Sequence, residues 1–136
     1  MGIAAEFARF NAKLANVQWA VSARTAEGVV MSLWQHKLRT ENGVWVYRDR
    51  LSRWQGPGNR LFAEHLREAL EHNLQLRMVK AIAADPALVE RGEDASTMRK
   101  TFHAVPDRVG QVVSSDGDAF ELRFALADLD PDGYRR

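Results

Sequence analysis

Residues 29–50 read VVMSLWQHKLRTENGVWVYRDR, with Asn42-Gly43 near the centre. Asn-Gly tolerates the positive φ angles of a tight two-residue turn and is a strong hairpin signal. The reading is therefore a long strand from Val29 to Thr40, a turn at Glu41-Asn42-Gly43, and a return strand from Val44 to Arg50. A two-residue loop also sets the register. Leu38 is expected opposite Tyr47, Lys37 opposite Arg48, His36 opposite Asp49, Gln35 opposite Arg50 and Trp34 opposite Leu51. Side chains alternate across a sheet, so one face would carry Trp34, His36, Leu38, Trp45, Tyr47 and Asp49. The other would carry Gln35, Lys37, Arg39, Arg48 and Arg50.

Outward from the hairpin, Ile3, Phe7, Phe10 and Leu14 recur at helical spacing, which predicts a helix over 3–14 that stops at Asn16. Val17, Trp19, Val21 and Ala23 alternate with polar or small neighbours, as a strand does, before a turn at Glu27-Gly28. After the hairpin, SRWQGPGN (52–59) is a loop, and Asn59 is placed to cap a helix over 60–73 with Phe62, Leu66, Ala69 and Leu70 inward. Leu76–Ala81 has the content of a buried strand, and a short helical turn is expected around Pro86. ERGEDAS (90–96) is a polar excursion. A second hairpin turns at Ser115–Asp118 between Val112-Val113 and the strand Ala119–Leu126. The order describes an α+β fold: a curved, mostly antiparallel sheet with two or three packed helices in a single domain over 1–127. Residues 128–136 read as an acidic tail or linker.

The chain holds 136 residues and no cysteine, which excludes disulfides, thiol nucleophiles and Cys-ligated zinc. Neither a secretory signal nor a membrane span is visible, so a cytoplasmic location without a membrane partner is expected. Residues 1–60 carry nine Lys+Arg against four Asp+Glu, and 61–136 carry ten against fourteen, which together give the net charge of +1. The basic excess coincides with all four tryptophans. Stacking surfaces beside cations suit nucleic acid. Lys37, Arg39, Arg48, Arg50, Arg53, Trp54 and Arg60 are the candidate nucleic-acid contacts. Trp34, His36, Trp45, Tyr47 and Asp49 are the candidate pocket. An apolar body with a few placed polar groups is how readers of extruded bases hold their ligand, although the same rings could simply be core.

Catalytic signatures are weaker. Pro106-Asp107 followed by Glu121-Leu122-Arg123 has the outline of a metal-dependent nuclease, with Asp107 and Glu121 as metal carboxylates and Arg123 where a Lys is usual. His65, Glu68 and His72 share a helical arc but match no established zinc pattern and read as a solvated face. Asp128, Asp130 and Asp132 begin like an EF-hand loop without its closing Glu. No cofactor and no metal are called for.

The run Phe10–Trp19 (FNAKLANVQW), with Ser22-Ala23, Leu33-Trp34-Gln35, His65-Leu66 and Arg77-Met78-Val79, resembles small bacterial domains found beside or fused to HNH and other restriction-type nucleases. The resemblance implies a DNA-binding specificity module, for DNA rather than RNA, that senses modified DNA in a restriction or phage-defence system. Cleavage would belong to a nuclease partner or fused domain. The sequence is accordingly read as a non-enzymatic DNA-binding module, with two alternatives: a metal-dependent nuclease, or a small protein-interaction or immunity-type protein.

Overall fold

Strand β6, Lys100–Ser115, is the longest of the described strands and joins the two halves of a seven-stranded sheet, order β1-β2-β5-β6-β7-β4-β3. The computed structural model describes residues 2–95 and 97–127. Its other strands are β1 (Ser22–Arg24), β2 (Gly28–Trp34), β3 (Leu38–Glu41), β4 (Val44–Arg50), β5 (Gln75–Ala83) and β7 (Ala119–Leu126), and its helices are α1 (Ile3–Ala8), α2 (Pro57–His72) and α3 (Pro86–Glu90). Among the described residues only β2 and β5 pair in parallel; the other neighbours are antiparallel. The fold is a single mixed α+β domain. None of the described helices is long and apolar enough to cross a membrane. The acidic segment 128–136 lies outside the described residues.

The sheet has to curl. Between the end of β2 and the start of β3 lie only Gln35–Lys37, a single 3-10 turn. In the sheet order those strands are five spacings apart, about 24 Å if flat. Four Cα steps reach at most about 14 Å. Curling brings the ends together, and the Trp34 backbone N–H donates to the Tyr47 hydroxyl at 3.4 Å. Strand β6 makes the bend. Leu76 faces Gly110 while Met78 faces Val105, so two steps on β5 match five on β6. Pro106, which cannot donate to a ladder, falls in that irregular stretch.

Inside the curl lies α2. Phe62, Leu66 and Ala69 pack with Met31, Leu33, Tyr47, Met78, Leu122 and Phe124. A smaller cluster under α1 joins Phe7, Leu14, Ala20, Val30 and Val79. Buried Glu6 anchors α1 by accepting the Ala104 N–H at 2.8 Å.

Several expectations are corrected. The long strand over 29–40 is broken by the 3-10 turn, so Lys37–Arg48, His36–Asp49, Gln35–Arg50 and Trp34–Leu51 are not ladder pairs. The register Leu38–Tyr47 through Glu41–Val44 holds as expected. The first helix ends at Ala8, and Asn11 takes a left-handed φ of 57°. Residues 17–21 are not strand, because the Asn16 side chain accepts the Gln18 N–H at 2.8 Å and its carbonyl accepts the Ala20 N–H, closing a turn. Helix α2 starts at Pro57, and Asn59 donates to the Leu51 carbonyl instead of capping. Leu70 is 40% exposed; the inward positions are Gly58, Phe62, His65, Leu66 and Ala69.

A candidate ligand cavity

At the open end of the curl, beside the start of α2, lies a cavity of about 800 Å³. Buried Tyr47, Phe62 and Phe120 make its floor. Their rings interlock: Tyr47 stacks on Phe120 at 6.3 Å, Phe62 meets Phe120 at 5.6 Å, and Trp54 stands edge-on to Phe62 at 5.9 Å. Trp34 and Trp54 form half-buried walls, and Trp19, 38% exposed, stands at the rim. Three of the four tryptophans thus converge on one concavity, although they come from a turn, a strand end and a loop.

The polar part of the wall is the pair Asp49 and Arg53. The Asp49 side chain is 4% exposed and that of Arg53 13%. Arg53 Nε and Nη2 donate to the carboxylate at 2.8–3.0 Å, and Nη1 donates to the Val89 carbonyl at 3.0 Å. Burial opposes the guanidinium charge, but the hydrogen bonds and charge of Asp49 outweigh it and hold the Arg53 pKa above its ordinary value. Burial pushes the Tyr47 phenol far above its ordinary pKa, and neighbouring Asp49 adds to this, so Tyr47 stays neutral. Gly92, at φ 73°, passes so close to Arg53 that a Cβ would lie 2.2 Å from the Arg53 carbonyl oxygen. Lys100 completes the wall, its Nζ donating to the Ala95 and Met98 carbonyls; burial lowers its pKa.

Of the five expected pocket residues, Trp34, Tyr47 and Asp49 line the cavity, while His36 and Trp45 do not. The 3-10 turn carries His36 away from Asp49, and its Nε2 meets Glu90 Oε1 at 2.9 Å. Trp45 lies under the Arg108 guanidinium, 4.4 Å from ring centroid to Cζ. The spacing signal therefore found three of the residues that line the site. Trp19, Phe62, Gly92, Lys100 and Phe120 were missed as site residues, since only the curl brings them to the hairpin.

The expected phosphate contacts are mostly engaged within the chain. Lys37 reaches Glu90 at 3.2 Å and Asp49 at 3.6 Å. Arg39 donates to the His36 and Leu38 carbonyls. Arg48 pairs with Glu41 and Glu121, both at 2.8 Å, and Arg50 with Asp118 at 3.2 Å. Arg60, exposed on the first turn of α2, has no side-chain partner among the described residues. Its helix begins with Pro57 and Gly58, which line the cavity.

The nuclease alternative does not assemble. Glu121 lies opposite Ser114, whereas the Asp107 carbonyl bonds to Ala127 at the other end of the β6–β7 ladder. Seven residues of strand put about 20 Å between them. Glu121 is instead held between Arg48 and Arg123, whose hydrogen bonds keep its pKa below the usual range. His65 is not on a solvated face. It is 8% exposed and bonded to Ser22, and Glu68 pairs with Arg24. Among the described residues no three His, Asp or Glu side chains could hold a metal.

No family model, curated protein or solved structure matches this chain.

Proposed function

We propose that the protein is a DNA-binding module that accepts one unstacked base in the aromatic cavity. The observation that carries this reading is the convergence of Trp19, Trp34 and Trp54 around a concavity whose wall also holds a buried, hydrogen-bonded Asp49–Arg53 pair. Planar heterocycles are held in this way, by stacking for affinity and by a small number of fixed polar groups for selectivity. The cavity's size falls within the usual range for small-ligand sites, roughly 300–1,000 Å³. DNA, and modified bases in a restriction or defence setting, follow from the resemblance described above; a nuclease on another segment or partner would then do the cutting.

The charge distribution shapes this proposal. With Arg48 and Arg50 spent on carboxylates, phosphate contacts fall to Arg60 and few others, so affinity should rest more on stacking than on ion release. The test compares labelled single-stranded DNA, intact duplex, and duplex with one unpaired base, with an RNA strand as control. Binding should favour strands with an accessible base over intact duplex, with a shallow salt slope. Equal binding to intact duplex, untouched by Trp34→Ala and Trp54→Ala in folded protein, would overturn the reading.

A further inference from the structure

Taking the base-accepting cavity as its starting point, we infer that Arg53 presents its two unused N–H donors side by side to the cavity and thereby selects bases with two adjacent acceptors, guanine or cytosine, over adenine or thymine. A guanidinium carries five N–H donors in a rigid plane. Asp49 takes the Nε and one Nη2 hydrogen, and the Val89 carbonyl takes one from Nη1. Five less three leaves two donors, one on each terminal nitrogen, which no acceptor among the described residues occupies. Arg53 lines the cavity.

This arrangement is preorganised. The carboxylate holds one edge of the guanidinium, the carbonyl holds one corner, and Gly92 packs against the backbone behind it. The plane cannot swing to follow its ligand, so the ligand must bring its acceptors to the plane. Arg meets guanine through O6 and N7 in just this bidentate manner. Cytosine offers a comparable pair in O2 and N3. Adenine places its amino donor beside N1 and N7 and leaves N3 without a second acceptor, and thymine places N3–H between its two carbonyls. Either would leave one donor of the fork facing a donor or nothing, and a buried donor left unmatched is costly. A substituent on C5 of cytosine leaves O2 and N3 untouched, so the fork tolerates cytosine modified at that position.

The test uses short DNA strands whose single base, G, C, A or T, is flanked by abasic residues, with binding followed by tryptophan fluorescence. The wild-type protein should bind the G and C strands about 5- to 150-fold more tightly than the A and T strands, the range expected of one bidentate contact. Arg53→Lys keeps a cation beside Asp49 but loses the fork, and should bring the four strands together. Four equal affinities in the wild type, or a preference for A or T, would overturn the role of Arg53 while leaving a base-accepting cavity in place. Failure to bind any of the four would remove both. Displacement of the G strand by millimolar inorganic phosphate, as effective as displacement by excess C strand, would mean that the fork holds phosphate and would also overturn the inference. The wild-type comparison stands even if Arg53→Lys folds poorly.

Discussion

Ser22 on β1 and His65 on α2, 43 positions apart, share a buried 2.7 Å hydrogen bond between the Ser22 Oγ and the His65 Nδ1. A hydroxyl can donate or accept, so the bond exists in either neutral tautomer. It ties the edge strand to the central helix. Burial lowers the His65 pKa below its ordinary 6.5, against the opposing pull of Glu68 and Glu64 and with a smaller lowering from Arg24. The folded protein therefore holds a neutral imidazole where the unfolded chain would bind a proton. That contribution to stability is intact above about pH 6.5 and is lost as pH falls below it towards the folded value. The urea midpoint should drop between pH 7.5 and pH 5.5, and His65→Gln should flatten the drop. Ser22→Ala should cost about 1–3 kcal/mol, because it strands a buried polar atom.

The tryptophans should separate by role. Trp34→Ala and Trp54→Ala remove stacking walls and should weaken DNA binding by roughly 1–3 kcal/mol each. Trp45→Ala loses the Arg108 contact and partial burial, about 1–3 kcal/mol of stability, and should leave affinity unchanged. Parallel thermal melts and titrations read both quantities. A folded Trp45→Ala protein that no longer binds DNA would move the site from the cavity to the Trp45 end of the hairpin.

Among the cations, Arg60 is expected to matter more than Arg50. Arg60→Ala should reduce the slope of log affinity against log salt by about 0.7–0.9, one phosphate contact. Arg50→Ala should change it little, since that side chain is engaged by Asp118. Affinity measured between 50 and 200 mM salt decides the ranking.

Gly92→Ala should harm both fold and site. Its φ of 73° suits glycine, and the added methyl would press on the Arg53 carbonyl. The cost should be about 1–3 kcal/mol of stability, with a larger proportional loss of DNA affinity because Arg53 is displaced. Alanine at solvent-facing Gly2, where nothing lies within 4 Å of the new methyl, is the control.

Local signals carried much of the fold. The Asn42-Gly43 turn, the strands at 44–50 and 119–126, and the register of β3 against β4 follow from turn chemistry and alternation alone. What escaped was non-local. Pro106 and Gly110 argue against a strand, yet β6 runs through both, because the ladder shifts there and Gly110 lets the Phe124 ring pack where a Cβ would lie 2.5 Å from it. The break at Gln35–Lys37 has no turn residue to announce it; closing the curl imposes it. Once β2 and β3 separate, His36 and Lys37 turn to Glu90 on α3. Trp34, Tyr47 and Asp49 keep facing the concavity that sequence spacing alone could suggest but not enclose.

The three-residue link between Trp34 and Leu38 also constrains the order in which the chain can acquire its site. Neither half of the sheet can close over α2 until β6 has arrived to join them, and β6 is drawn from the last third of the sequence. Such distant pairings form late, after most of the loop-closure entropy has been spent. A fragment ending before Lys100 would retain Trp19, Trp34, Tyr47, Asp49, Arg53 and Trp54 but would have nothing to gather them. The cavity is therefore assembled only once β6 is in place, and occupancy of it by a ligand should report on folding as directly as any core residue.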